Sequence, residues 1–188
     1  MTTEPGLFTV FDTALGPFGL AWRERGIVRV LLPQRDLKAM ERRLAAHFDA
    51  TQTPPAAIER LIEDVRRYSA GERVCFDDTA VDLGGVDTFR LSVYAAARAI
   101  PFGATRTYGE LARAIGSPNA AREVGQALGQ NPVPVIIPCH RILAAGGRIG
   151  GFSAPGGSVT KERLLALEGL RFEGGRSTNQ GAFDFTAA

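Results

Sequence analysis

The residues best suited to chemistry form one short block, Pro138-Cys139-His140-Arg141, which follows an apolar run at positions 133–137. The block places one of only two cysteines beside one of only two histidines. Cysteine reacts as the thiolate, which needs a base or a cation nearby, and here an imidazole and a guanidinium directly follow the thiol. Because proline cannot continue a helix and keeps the chain extended, we expect Cys139 at a rigid bend after a buried extended segment. Adjacent side chains on a strand face opposite ways, so spacing alone leaves a catalytic and a structural role open.

The composition is that of an ordinary globular protein, with 188 residues, 45% hydrophobic and 22% charged. No apolar run approaches the roughly 20 residues that a membrane span needs, and residues 1–5 lack the pattern of a signal peptide. Two cysteines form no disulfide framework and, with two histidines, show no zinc-ligand spacing, so we expect a reducing cytoplasmic compartment and no metal. Cys75, in the apolar strand-like trio at 74–76, is expected to be a buried core residue.

Positive charge is concentrated in the second half of the chain. Residues 86–170 carry 9 basic and 5 acidic side chains, whereas residues 1–85 carry 11 basic and 13 acidic side chains. This asymmetry is compatible with a polyanionic partner and equally with a solvated surface.

The first lobe, residues 1–85, reads as a small sheet with helices. We predict strands at 7–12, 19–22 and 27–32, with a hairpin turn at 24–26. Helices are predicted at about 35–48 and 56–69, the first with Leu37, Met40, Leu44 and Phe48 on one buried face. A linker is expected at 83–86.

The second lobe, residues 86–170, reads as mostly helical. A helix is predicted at about 89–100, and Thr107 and Glu110 fit a capping box that opens a short helix ending at Gly116. Asn119 is placed to cap the next helix, 120–128, which gives a helix-turn-helix shape. Such pairs also occur in plain helical packing, so this spacing leaves DNA binding open.

The end of the second lobe carries paired glycines and a final helix. The glycine pairs between 146 and 157 would let backbone approach a ligand closely or form a surface loop, and no P-loop lysine follows them. In the predicted helix at 161–168, Glu168 lies in the last turn, where the helix dipole disfavours a carboxylate, so a buried partner is expected. Residues 171–188 are expected to form a loosely ordered tail.

Taken in order, the blocks of the second lobe resemble the O6-alkylguanine-DNA alkyltransferases, which are methylated-DNA–protein-cysteine S-methyltransferases. The resemblance runs from about 89 to 169 and is carried by IPFG at 100–103, TYGELA at 107–112, AAR at 120–122, NPVP at 131–134, PCHR at 138–141 and the segment 161–169. It implies an α+β, two-lobed fold, with a ribonuclease-H-like antiparallel sheet and helices first and a helical lobe with a winged helix-turn-helix-like motif second. It also implies single-turnover repair of O6-alkylguanine in double-stranded DNA, with O4-alkylthymine as a further candidate lesion and with no cofactor.

The resemblance assigns the catalytic group as follows. Cys139 matches the alkyl acceptor, and His140 matches the histidine that contacts the thiol through a water. Glu168 matches the glutamate that orients this histidine, and Asn131 matches the residue that holds the turn of the cysteine.

Further positions match residues that bind the lesion and the duplex. Tyr108 matches the tyrosine at the N3 side of the flipped base, the carbonyls of Cys139 and Ile142 match acceptors for its exocyclic amine, and Ser153 matches the donor to O6. The remaining matches in the pocket are Phe152 and Lys161. The implied DNA contacts are Arg122, which fills the gap in the base stack from the minor groove, and Ala121, Arg141 and Thr107.

Three positions depart from the family pattern. Phe152 replaces a common tyrosine, so stacking is kept and a hydroxyl is lost. The loop between 153 and 161 is two residues longer than in many relatives, which leaves the tolerated alkyl size open. Glu123 replaces a small residue on the groove-facing helix and should weaken DNA binding by a few tenths to about 1 kcal/mol.

Three other functions are weighed against the alkyl acceptor. A non-reacting lesion-binding module of the alkyltransferase-like kind would lack the cysteine that is present here. A transcriptional regulator would need an additional zinc site or DNA-binding motif in the first lobe. A Cys-His hydrolase would need a direct thiolate–imidazole contact and an oxyanion hole, and would turn over many times. Because no unexplained apolar stripe remains, we expect a monomer.

Overall fold

The first lobe is built on a four-stranded sheet. The computed structural model describes residues 6–34, 36–173 and 176–177. Strands β1 (Leu7–Phe11), β2 (Phe18–Arg23) and β3 (Gly26–Leu31) are antiparallel neighbours, which confirms the three predicted strands and the hairpin. The short β4 (Asp49–Ala50) adds to β1 in parallel and was not predicted, because a two-residue strand carries no periodicity.

Two helices cover this sheet. Helix α1 (Leu37–Ala45) is capped by Asp36 and is shorter than predicted, with Met40 and Leu44 buried but Leu37 exposed and Phe48 beyond its end. The predicted first residue of this helix, position 35, lies outside the described residues. Helix α2 (Ala56–Ser69) has the predicted bounds, and its buried face runs from Ile58 to Tyr68 and Ser69.

The prediction for Cys75 was wrong, since its side chain is exposed and residues 74–76 form no strand. Val74 and Phe76 are both buried, and because side chains alternate along an extended chain, the residue between them faces outward. The segment is instead held by Arg98, whose Nη2 donates to the carbonyls of Phe76, Asp77 and Thr79 at 3.1, 2.7 and 3.0 Å.

The second lobe contains four helices among the described residues, α3 (Thr88–Arg98), α4 (Tyr108–Ala114), α5 (Ala121–Gly129) and α6 (Gly157–Leu167). The capping box of Thr107 and Glu110 is confirmed at the start of α4. The predicted cap by Asn119 was wrong, because α5 follows Ala120 and has no side-chain cap. Helix α6 begins four residues earlier than predicted, where Gly156 takes a positive φ of 84° that reverses the chain into the helix.

Short strands complete the second lobe. Strands β5 (Arg106–Thr107) and β6 (Ile142–Leu143) pair in parallel and tie the start of α4 to the residues after the cysteine block. Strands β7 (Phe172–Glu173) and β8 (Arg176–Ser177) pair within the segment predicted to be a loosely ordered tail, and that looseness stays a prediction. Residues 174–175 and 178–188 of the segment lie outside the described residues.

One hydrophobic core runs through both lobes. It joins Leu20 and Val65 of the first lobe to Val93, Ile137 and Cys139 of the second. The division at residue 85 stays a prediction about the sequence, since the buried side chains on either side of it pack together. No helix of the described residues is long and apolar enough to cross a membrane.

Candidate active site

The turn before the cysteine is compact, so the prediction of an extended segment was wrong. The Ile137 amide donates to the Val133 carbonyl at 2.9 Å, and Val135 adopts a positive φ of 75°. Asn131 closes this turn from inside, because its Nδ2 donates to the Ile137 carbonyl at 2.8 Å and its Oδ1 accepts from the Val133 amide at 3.0 Å. Proline excludes a regular helix here, and the Asn131 side chain supplies bonds that a strand partner would otherwise provide.

The first lobe also holds this turn, through the Val30 amide of β3, which donates to the Pro132 carbonyl at 2.9 Å. The expected bend at Cys139 is confirmed, since residues Cys139–Arg141 form a single 3₁₀ turn.

The thiol of Cys139 is buried at a cavity of about 340 Å³. Burial raises the pKa of this thiol, against the opposing effects of the Asn131 hydrogen bond and the Lys161 charge. The group is therefore a thiol at neutral pH and needs a base to become a nucleophile. The cavity is lined by Tyr108, Gly125, Leu128, Gly129, Gly151, Phe152 and Ser153.

His140, the expected base, follows Cys139 in the chain and is fully buried, and its Nε2 lies 2.7 Å from Oε1 of Glu168. Burial works to raise the pKa of Glu168, but hydrogen bonds and charge from His140 and Arg141 outweigh it and lower this pKa to about 2. An ionised carboxylate only accepts, so the proton of a neutral imidazole is assigned to Nε2. Nδ1, which is buried and has no partner among the described protein atoms, is then the basic nitrogen.

Arg141 is part of this buried group. Its Nε and Nη2 donate to the carboxylate of Glu168 at 2.9 and 3.0 Å, and Nη1 donates to the Ile100 carbonyl at 2.6 Å. The expectation that Glu168 has a buried partner is confirmed, with the Gly103 amide at 3.0 Å as a further donor. Arg141 is 7% exposed and its guanidinium is paired inside the protein, so its expected DNA contact stays a prediction that the described hydrogen bonds do not favour.

Lys161 is fully buried and its ammonium group lies against the ring of Tyr108. Its Nζ is 5.7 Å from the centre of the tyrosine ring and donates to the carbonyls of Ile142 and Gly151. Burial lowers the pKa of Lys161 to about 8. The Ile142 carbonyl, expected to accept from the exocyclic amine of the flipped guanine, therefore already accepts a hydrogen bond from Lys161.

The mouth of the cavity is formed by helix α5 and the loop after β6. Ser153, expected to donate to O6, donates its hydroxyl to the Gly129 carbonyl at 3.0 Å, and Phe152 is half-buried beside it. Arg122 and Glu123 are exposed in the first turn of α5, and Ala121 is half-buried. One helix thus carries both the exposed arginine and a wall of the cavity.

Thr107 is the remaining expected DNA contact, and its hydroxyl is engaged within the protein. It donates to Oε2 of Glu110 at 2.8 Å and accepts from the Glu110 amide at 3.2 Å. The described geometry therefore gives Thr107 the role of capping α4 and so of orienting Tyr108.

The sequence reading missed Tyr68, whose hydroxyl reaches the site from α2. It donates to Oε1 of Glu168 at 3.0 Å and lies 3.3 Å from Nε2 of His140. A tyrosine on the buried face of a helix usually finds a hydrogen-bond partner, which was the available signal, but the identity of that partner depends on a contact 100 positions away.

The chain is similar to known proteins over most of its length. Residues 88–170 match the family model of the 6-O-methylguanine DNA methyltransferase, DNA binding domain. The methylated-DNA–protein-cysteine methyltransferase of Mycobacterium tuberculosis strain H37Rv is 39% identical over 166 residues, which is 87% of this chain and 93% of that relative. The corresponding protein of Methanothermobacter thermautotrophicus is 36% identical over 157 residues, which is 83% of this chain and 81% of the relative.

Solved structures give the same result for the fold. The crystal structure of Mycobacterium tuberculosis OGT in complex with DNA matches with a TM-score of 0.70 and 36% identity, over 86% of this chain and 92% of that chain. Similarity at this identity extends over both lobes and over most of each relative. This chain therefore belongs to the family of methylated-DNA–protein-cysteine methyltransferases.

Proposed function

We propose that this protein repairs DNA by transferring the alkyl group of O6-alkylguanine to Sγ of its own Cys139. The observation that carries the proposal is that the buried Cys139 lines a cavity and lies in the same short turn as the buried His140. Sγ attacks the alkyl carbon, the S–C bond forms and the bond from carbon to O6 breaks. The thiol proton passes through a bridging water to Nδ1 of His140, and the leaving guanine recovers a proton on its ring. The thioether is stable, so each molecule reacts once.

The lesion must leave the duplex to reach this cavity. We assign Arg122 as the side chain that replaces the flipped nucleotide from the minor groove, since it is exposed on the helix that also lines the cavity. Tyr108 and Phe152 supply aromatic faces for the flipped base. The hydroxyl of Ser153 leaves the Gly129 carbonyl and donates to O6, which stabilises the leaving oxygen. Partners are double-stranded DNA with O6-alkylguanine, and O4-alkylthymine as a second lesion to test.

The reaction needs no cofactor, because the acceptor and the base both belong to the chain. It does need a reduced thiol, which favours the cytoplasm, at the nucleoid in a bacterium, or the nucleus in a eukaryote. We propose that the protein acts as a monomer.

The test is the intact mass of the protein after incubation with a duplex that carries one O6-methylguanine. We expect one added methylene on the peptide that contains Cys139, absent in Cys139→Ser and retained in Cys75→Ser, the other free and exposed thiol. Unchanged mass with tight and selective binding of the damaged duplex would instead make the protein a lesion reader. Hydrolytic turnover without a mass change would identify the Cys-His hydrolase.

A further inference from the structure

The first lobe contributes one side chain directly to the hydrogen bonds around the buried base. Tyr68, at the end of α2, is 0% exposed and lies edge-on against Phe76 and Phe102, with ring centres 5.8 and 6.3 Å apart. These contacts fix the ring, so its hydroxyl has little freedom. That hydroxyl, Oε1 of Glu168 and Nε2 of His140 form a closed triangle with sides of 3.0, 2.7 and 3.3 Å.

The direction of each hydrogen bond in this triangle follows from its members. Burial and the adjacent carboxylate raise the pKa of Tyr68 well above its usual value, so the phenol stays protonated and donates to Glu168. The oxygen of the phenol then presents a lone pair toward Nε2 of His140. Both neighbours of Nε2 accept a proton, which leaves Nδ1 as the unprotonated nitrogen.

We propose that Tyr68 is a positioning residue for alkyl transfer, which supports the Nε2–H tautomer of His140 that Glu168 sets and keeps the basic Nδ1 toward the thiol side. This inference rests on the proposed function, in which Nδ1 receives the thiol proton. It gives the first lobe a part in the reaction, because α2 reaches the relay across the shared core. The control is Tyr94 of α3, which is 1% exposed and donates its hydroxyl to the Ala127 carbonyl at 3.0 Å and not to Glu168.

The phenol also sets how strongly Glu168 attracts the imidazole proton. A hydrogen bond from Tyr68 stabilises the carboxylate charge, and its removal makes Glu168 a stronger acceptor that favours imidazolium. The titration midpoint of His140, which burial places below its usual value, should therefore rise when the hydroxyl is removed. The other charged groups that act on His140 are Arg141 and Lys161, which both disfavour its protonation.

The first experiment is ¹⁵N NMR of the histidine rings in the full chain, for the wild type, Tyr68→Phe and Tyr94→Phe. The chain has two histidines, and the exposed His47 serves as an internal reference. We expect the Nε2–H tautomer in the wild type, and in Tyr68→Phe a midpoint of His140 higher by about one pH unit, as for the loss of one hydrogen bond to a charged group. Tyr94→Phe should leave tautomer and midpoint unchanged. An unchanged His140 spectrum in Tyr68→Phe would overturn the proposal.

The second experiment is the single-turnover rate of methyl transfer to Cys139 as a function of pH. In Tyr68→Phe we expect the acid limb of the profile to move upward with the NMR midpoint and the plateau to fall on the order of tenfold, with duplex affinity unchanged. If both phenylalanine variants lose stability equally and keep the wild-type profile, Tyr68 is only a packing residue. If the wild type transfers nothing, the proposed function fails, whereas the NMR result still decides the tautomer.

Discussion

Replacing Arg141 with methionine removes the cation that balances Glu168 while it keeps the length and apolar stem of the side chain. The guanidinium makes two short bonds to the carboxylate and one to the Ile100 carbonyl, and both ionic groups are almost fully buried. Breaking a buried pair by removal of one partner typically costs about 3–5 kcal/mol, since the remaining charge stays in a poorly solvating site. For a chain of this size that corresponds to a melting temperature lower by about 10 °C.

The matched control is Arg90→Met. Arg90 pairs with Asp87 at 2.6 Å, but both side chains are partly exposed, so the loss should be no more than about 1 kcal/mol. Urea unfolding followed by circular dichroism gives both free energies, and Arg141→Lys, which keeps the charge without the fork, should fall between methionine and the wild type. Equal losses in the two methionine variants would refute the argument that Arg141 compensates a buried charge.

Three more outcomes are expected. The free energy of unfolding should rise by up to about 3 kcal/mol between pH 8 and 10.5, because Lys161 loses its proton near pH 8 in the folded protein and keeps it up to about pH 10.5 in the unfolded chain. Urea unfolding at a series of pH values measures this rise, and Lys161→Met should flatten it. Asn131→Ala should lower the free energy of unfolding by about 2–4 kcal/mol, because the Ile137 carbonyl and the Val133 amide lose their partners, and it should slow alkyl transfer in single-turnover assays. Asn131→Asp, which keeps the oxygen that accepts from the Val133 amide, should lower it less. Arg122→Ala should weaken duplex binding without a change in stability, and Glu123→Ala should strengthen duplex binding by a few tenths to about 1 kcal/mol. Fluorescence anisotropy at a fixed salt concentration measures both affinities.

Local signals in the sequence were sufficient for several features. The strands of the first lobe follow from short apolar alternation, and the start of α4 follows from Thr107 and Glu110, whose side chains act only three positions apart. The need of Glu168 for a buried partner follows from its place at a helix C-terminus. Each of these depends on interactions within one element or at its ends.

Errors arose where a short apolar run had more than one possible environment. Residues 133–137 have the composition of a strand, but the Asn131 side chain bonds their backbone internally and makes a turn. Residues 74–76 also read as a strand, and the outward side chain of Cys75 depends on which neighbours find the core. An apolar run predicts burial, whereas the backbone hydrogen-bond partners that decide its conformation come from elsewhere in the chain.

The sequence by itself determined the reactive block, the family to which its ordered motifs point and the two-lobed α+β fold, because these depend on residue types at fixed spacings. The tertiary structure decided that Arg141 pairs with Glu168 inside the protein, that Lys161 binds the Ile142 carbonyl, and that the Tyr68 hydroxyl of the first lobe lies between Glu168 and His140. These contacts join residues 19 to 100 positions apart, and only the packing of both lobes into one core brings them within hydrogen-bonding distance.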